Sequence, residues 1–223
     1  MKSFRELHAF EDPALLDQAM THPSYANEHP GTPTYQRLEF LGDAVLQLVA
    51  SQLLLTRFPD LDEGGLSKAR ARLVDRTHCA ELAGDLGIPA ALRTERGLAG
   101  GVAPGSKVLA DAFEALVAAI YVDGGLEAAR AAISPLLAKK ADALDVDMLK
   151  DAKSELQERC QARKLPLPLY EDHGHSGPDH ARVYHVTVTV AGVVYGPGSG
   201  RKKQVAEAAA ARIALAATAV EPD

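Results

Sequence analysis

Two carboxylates set four residues apart in an otherwise apolar run constrain this chain more than any other feature. In Arg37-Leu38-Glu39-Phe40-Leu41-Gly42-Asp43-Ala44-Val45-Leu46, Glu39 and Asp43 share one face of a predicted helix. Apolar residues surround them nearly all round, so the helix is expected to be buried. Buried carboxylates without partners are costly, and neutralisation or a cation is expected. An exposed acidic stripe, or pairing with Arg37, is the competing reading. A second apolar stretch, Val108 to Val117, carries Asp111 and Glu114 three apart, again on one face. Two such helices packed face to face offer four hard oxygen ligands, which suits Mg²⁺ or Mn²⁺ and not a soft metal. A water on such an ion can serve as nucleophile, and a phosphodiester can be the substrate. No Cys/His metal cluster, G-x-x-x-x-G-K-[ST] loop or G-x-S-x-G elbow competes with this reading.

The rest of the chain divides in two. The first ~140 residues read as all-α. Helices are predicted from Pro13 to Met20, Tyr35 to Phe58, Leu66 to Leu86, Ser106 to Val122 (stopped by Gly124-Gly125) and Leu126 to Lys140. Residues 141–150 read as a short acidic connector. The pattern then changes to α+β. A helix is predicted from Ala152 to Lys164. Val183 to Val190 alternates, with Tyr184, Val186, Val188 and Val190 on one face, and Ala191-Gly192 turns into a strand at Val193. Leu167 to Glu171 is a further strand candidate, and Lys202 to Thr218 is an Ala-rich helix. The expected order is α-β-β-β-α. With 223 residues, the chain has room for two domains that each bury a core. We place them at 1–145 and 151–220, with 146–150 as linker.

Charge follows the same division. The net charge is -6, while residues 151–223 hold 9 basic and 9 acidic residues, so the deficit lies wholly in the first part. An acidic part beside a neutral part with a local basic cluster suits a metal-dependent enzyme joined to a polyanion-binding module. Cys79 and Cys160 fall in different predicted domains, so a reduced, cytoplasmic setting is expected. No apolar run approaches the ~20 residues that span a bilayer, and the first residues open no signal core. No membrane partner is expected.

With these residues in place, the chain resembles bacterial ribonuclease III. Arg37 to Asp43 and Leu109-Ala-Asp-Ala-Phe-Glu-Ala115 resemble the family's signature. Thr21-His-Pro-Ser-Tyr25 and Glu63-Gly-Gly-Leu-Ser67 match further family segments in order. Lys153 to Glu158, Gly177 to His180 and Gly198 to Lys203 are similar to the three RNA-facing segments of a double-stranded-RNA-binding domain. The resemblance implies a homodimeric endonuclease that cuts both strands of duplex RNA with Mg²⁺, or Mn²⁺ in its place. Its implied substrates are ribosomal RNA precursors and structured transcripts. It implies a metal site at Glu39, Asp43, Asp111 and Glu114, with Asp43 and Glu114 catalytic. Glu63 is implied near the catalytic valley and dimer interface. Phe40 is implied to insert into the partner subunit; the residues alone favour simple core packing for it.

The second domain also makes physical sense on its own terms. The A-form minor groove is wide and shallow and displays 2′-hydroxyls. Gln157 and Glu158 on a helix, and His180 in a turn, can reach such grooves. Arg201, Lys202 and Lys203 at a helix start can meet phosphates, where charge and helix dipole add. Five positions depart from the family pattern. Tyr35-Gln36 stands where Asn-Glu is usual, Ala118 where Gly is common, Lys202 where Ser or Thr is usual, and Gln204 in the second Lys position, Lys203 filling the first. The alternative function is a duplex-RNA-binding regulator without turnover; intact acids at all four positions favour the enzyme.

Overall fold

Acidic caps open four of the eight α-helices among the described residues. Asp12, Asp62, Asp75 and Asp151 each accept a hydrogen bond from a backbone N–H of the first helical turn. The computed structural model describes residues 3–95, 103–145 and 151–218. The chain forms two compact units, Met1–Val146 and Asp147–Asp223. The predicted linker, 146–150, lies outside the described residues, as do 219 and 220 at the predicted end of the second domain.

The first unit is helical: α1 (Pro13–Ala19), α2 (Pro23–Glu28), α3 (Gln36–Arg57), α4 (Glu63–Leu73), α5 (Arg76–Asp85) and α6 (Lys107–Asp142). Helix α3 packs along α6, and together they form the centre of the core. Their buried residues include Leu46, Val49, Leu54, Phe113, Leu116 and Ile120. Gly125, at φ 75° and ψ −174°, breaks α6 where the sequence predicts a stop.

Two expectations need correction. Leu66 to Leu86 is not one helix: Val74 leaves the helical region, and the Asp75 carboxylate caps a new helix by accepting from the His78 N–H at 2.8 Å. Helix α3 is not buried all round either. One side faces α6, while Phe40 is 84% exposed and Leu48 and Leu55 are also exposed. The core-packing reading of Phe40 is therefore excluded within this chain. Length and apolarity would let α3 cross a bilayer, yet it carries Glu39 and Asp43 and packs on α6.

The second unit runs α7 (Ala152–Ala162), β1 (Leu169–Ser176), β2 (Val183–Val190), β3 (Val193–Gly200) and α8 (Lys203–Thr218). This is the predicted α-β-β-β-α order. The strands form an antiparallel sheet in the order β1-β2-β3. Val186, Val188 and Val190 are buried from alternate positions of β2, as their spacing requires. They and α7 enclose the small residues of α8: Ala210, Ala211 and Ala214 join Leu156, Cys160 and Leu215 in one core. A Cβ at Gly198 would stand 2.2 Å from the Ala210 nitrogen, so β3 lies directly on α8. Both cysteines are buried and free, and each lies in its own unit.

Candidate active site and RNA-facing residues

The acids meet because α3 and α6 touch backbone to backbone. A Cβ at Gly42 would fall 1.8 Å from the Glu114 carbonyl oxygen and 2.5 Å from its carbon. Only glycine permits that approach. It brings Glu39 on α3 beside Asp111 and Glu114 on α6, with one carboxylate oxygen from each lying within 4.8 Å of the others. Asp111 is buried, and Glu39 and Glu114 are half-buried.

Asp43 is not in that cluster of three. It is exposed, and both its oxygens accept from the Gln47 amide, at 3.0 and 2.9 Å. It nevertheless lies close enough to act on Glu114. Burial first, then Asp43, Asp111 and Glu39, push the Glu114 carboxyl up from 4.5 to about 7. Glu63, at the start of α4, is outside the cluster; its Oε1 accepts from the Ser67 hydroxyl at 2.8 Å.

Lys107 is the participant that sequence reasoning missed. Its Nζ lies 2.6 Å from Asp111 Oδ2 and 3.6 Å from Glu39 Oε1, so an ammonium sits among the acids. The signal was available, since Lys107 and Asp111 are four apart on one helix. Tyr35 lies behind the cluster, 2% exposed and edge-on to His22. Burial, then Asp111 and Glu39, raise its hydroxyl well above the usual range, so it stays neutral. Burial also lowers the His22 imidazole.

A converging set of hard carboxylate oxygens that already attracts a cation fits a divalent metal ion. Neither cysteine joins it, and the donor set suits Mg²⁺-like ions over soft metals.

In the second unit the proposed RNA-facing residues are open to solvent. Gln157 and Glu158 are exposed on α7, and His180 on the single helical turn Asp179–Ala181. Arg201 and Lys202 are exposed just before α8. Lys203, the first residue of α8, is held by Asp172 of β1 at 2.5 Å.

An acidic cluster on a helical unit, joined to an α-β-β-β-α unit, defines a nuclease coupled to a duplex-RNA-binding module. The comparisons with known proteins agree. Residues 12–141 match the Ribonuclease-III-like family and residues 152–217 the double-stranded RNA binding motif. Ribonuclease 3 of Symbiobacterium thermophilum is 43% identical over 209 residues, covering 93% of this chain and 89% of that protein. Ribonuclease 3 of Thermobifida fusca is 43% identical over 220 residues, covering 96% and 90%. The solved nuclease domain of Campylobacter jejuni ribonuclease III is similar with a TM-score of 0.55 at 34% identity. It matches 61% of this chain and 94% of its own, and is described as having flexibility in a region involved in dimer formation. The chain belongs to the ribonuclease III family and is a double-strand-specific endoribonuclease, of a family that employs a divalent metal cofactor.

Proposed function

We propose that the chain is a Mg²⁺-dependent homodimeric endoribonuclease that cuts both strands of duplex RNA. Its substrates are ribosomal RNA precursors and structured transcripts, and its setting is the cytoplasm. The observation that carries this reading is the meeting of Glu39, Asp111 and Glu114 across the α3–α6 contact. Those three would hold the metal, with Asp43 beside Glu114 as the fourth acid. When bound, the ion supplies Lewis-acid polarisation of the phosphodiester and lowers the pKa of water. Lys107 offsets part of the negative charge that would otherwise repel RNA phosphates. Glu63 acts as an auxiliary acid near the valley.

The division of labour follows residues 1–145 for catalysis, 146–150 as linker and 151–220 for RNA binding. Gln157, Glu158 and His180 reach minor grooves, and Arg201, Lys202 and Lys203 meet phosphates. The test is a long duplex RNA incubated with the full chain in Mg²⁺ and then in EDTA. Cleavage in Mg²⁺ that stops in EDTA is expected. Binding without cleavage in either condition would make the chain an RNA-binding regulator instead.

The dimer proposal rests on the solvent-facing side of α3. Phe40, Ala44 and Leu48 lie four residues apart along it, and Leu55 continues the apolar exposure. A twofold contact there would bury them and set two sites against one duplex. Light scattering at micromolar concentration should give about twice the 23.6 kDa chain mass. Phe40→Ala should shift the population toward 23.6 kDa. A monomeric wild type that still makes double-strand cuts would rule the dimer out.

A further inference from the structure

We propose that Asp172 is a built-in brake on duplex-RNA binding, because it occupies the Lys203 ammonium that a phosphate would otherwise take. The proposal rests on the reading of Lys203 as a phosphate contact. The two charges meet at 2.5 Å, Asp172 Oδ2 to Lys203 Nζ, across the gap between β1 and the start of α8. Asp172 is not a side chain that merely swings past. Its other oxygen, Oδ1, accepts from the Gly174 N–H at 2.9 Å. That bond sits in an irregularity of the sheet, where the β1–β2 register shifts between Asp172 and His175. Gly174 has φ +86°, a conformation that favours glycine. The carboxylate is thus fixed by backbone and aimed at Lys203.

The pair gains little for the fold. Its side chains are 34% and 60% exposed, and exposed pairs contribute little to stability. Its effect on a polyanion is more direct. A free ammonium that meets an RNA phosphate releases a condensed counterion, which drives binding. Lys203 must first leave Asp172. The abandoned carboxylate then draws a cation from solution and repels the same phosphate, cancelling much of the gain. The Lys203 hydrogen bond, then the Gly174 N–H, hold the Asp172 carboxyl below its usual range, so it is charged throughout neutral pH. Arg201 and Lys202 precede Lys203 and are exposed, so the brake acts on one cation of a three-residue cluster.

The experiment measures affinity of the full chain for a blunt duplex RNA of about 20 base pairs, longer than the ~16 that one such domain spans. EDTA prevents cleavage, and KCl is varied. Asp172→Asn keeps the acceptor for the Gly174 N–H and removes the charge. It should bind about three- to tenfold more tightly, with a log–log salt slope steeper by about 0.9, one phosphate contact. Asp172→Ser, which removes the charge by a different side chain, should move both quantities the same way. Lys203→Ala in the Asp172→Asn background should abolish both gains. If that double variant matches Asp172→Asn, Lys203 does not meet a phosphate, and the proposal falls with that reading. If Lys203→Ala weakens binding while Asp172→Asn and Asp172→Ser bind no tighter than wild type, the phosphate contact stands and the brake is wrong.

Discussion

Replacing Glu114 by alanine should lower Mg²⁺-dependent cleavage by roughly 100- to 1,000-fold, the scale of losing a central charge-stabilising group. Binding of duplex RNA in EDTA should be unchanged, because the RNA-facing residues lie in the other unit. Asp43→Ala should lose cleavage in the same way if that exposed acid completes the metal site. Near wild-type cleavage by either variant would remove it from the active site.

Glu114 also sets a pH dependence whose sign is fixed. Its carboxyl is pushed up to about 7 by burial and then by Asp43, Asp111 and Glu39, against an ordinary 4.5. Between those values the metal-free folded chain holds a proton that the unfolded chain has released. This group's contribution to metal-free stability therefore falls as pH rises from 4.5 through about 7. A metal ion must displace that proton, so its affinity should climb over the same window. Calorimetric titration with Mg²⁺ or Mn²⁺ at pH 6 and pH 8 should show the rise in wild type. A Glu114→Gln protein that keeps the same pH dependence would assign it elsewhere.

Gly42→Ala is expected to be nearly as damaging without touching a charged group. The added methyl would lie 1.8 Å from the Glu114 carbonyl oxygen. That neighbour is backbone of a buried helix and cannot swing aside, so α3 and α6 must separate. The cost should be about 3 kcal/mol, the upper range of overpacking. Thermal unfolding should move down accordingly, and cleavage should be lost although all four acids remain. A Gly42→Ala protein with unchanged thermal midpoint and activity would show that the close approach is unnecessary.

What the sequence determined alone was whatever depends on local pattern and chemistry. The alternation of Val183 to Val190 placed Val186, Val188 and Val190 in the core of the second unit, because strand side chains alternate whatever the partner. Helix spacing put Glu39 and Asp43, and Asp111 and Glu114, on common faces before any packing was known. The resemblance of those segments to the ribonuclease III signature carried fold and activity together, and the match over residues 12–141 agrees.

What only the tertiary structure decided were distances between elements and the direction of apolar faces. Periodicity made α3 look buried all round, because a local pattern cannot distinguish a core from a side left open to solvent; Phe40 lies on the open side. The need for glycine at position 42 shows only in the fold, where the Glu114 backbone lies against it. Asp43 shares Glu39's face by spacing, yet its carboxylate meets Gln47, four residues on along α3, while Glu39 meets the acids of α6. Lys203 reads as a free cation in sequence, but Asp172 lies 31 positions away and meets it only because β1 and the start of α8 come together in the folded second unit. Side-chain electrostatics depend on distance through space, and sequence separation does not measure that distance.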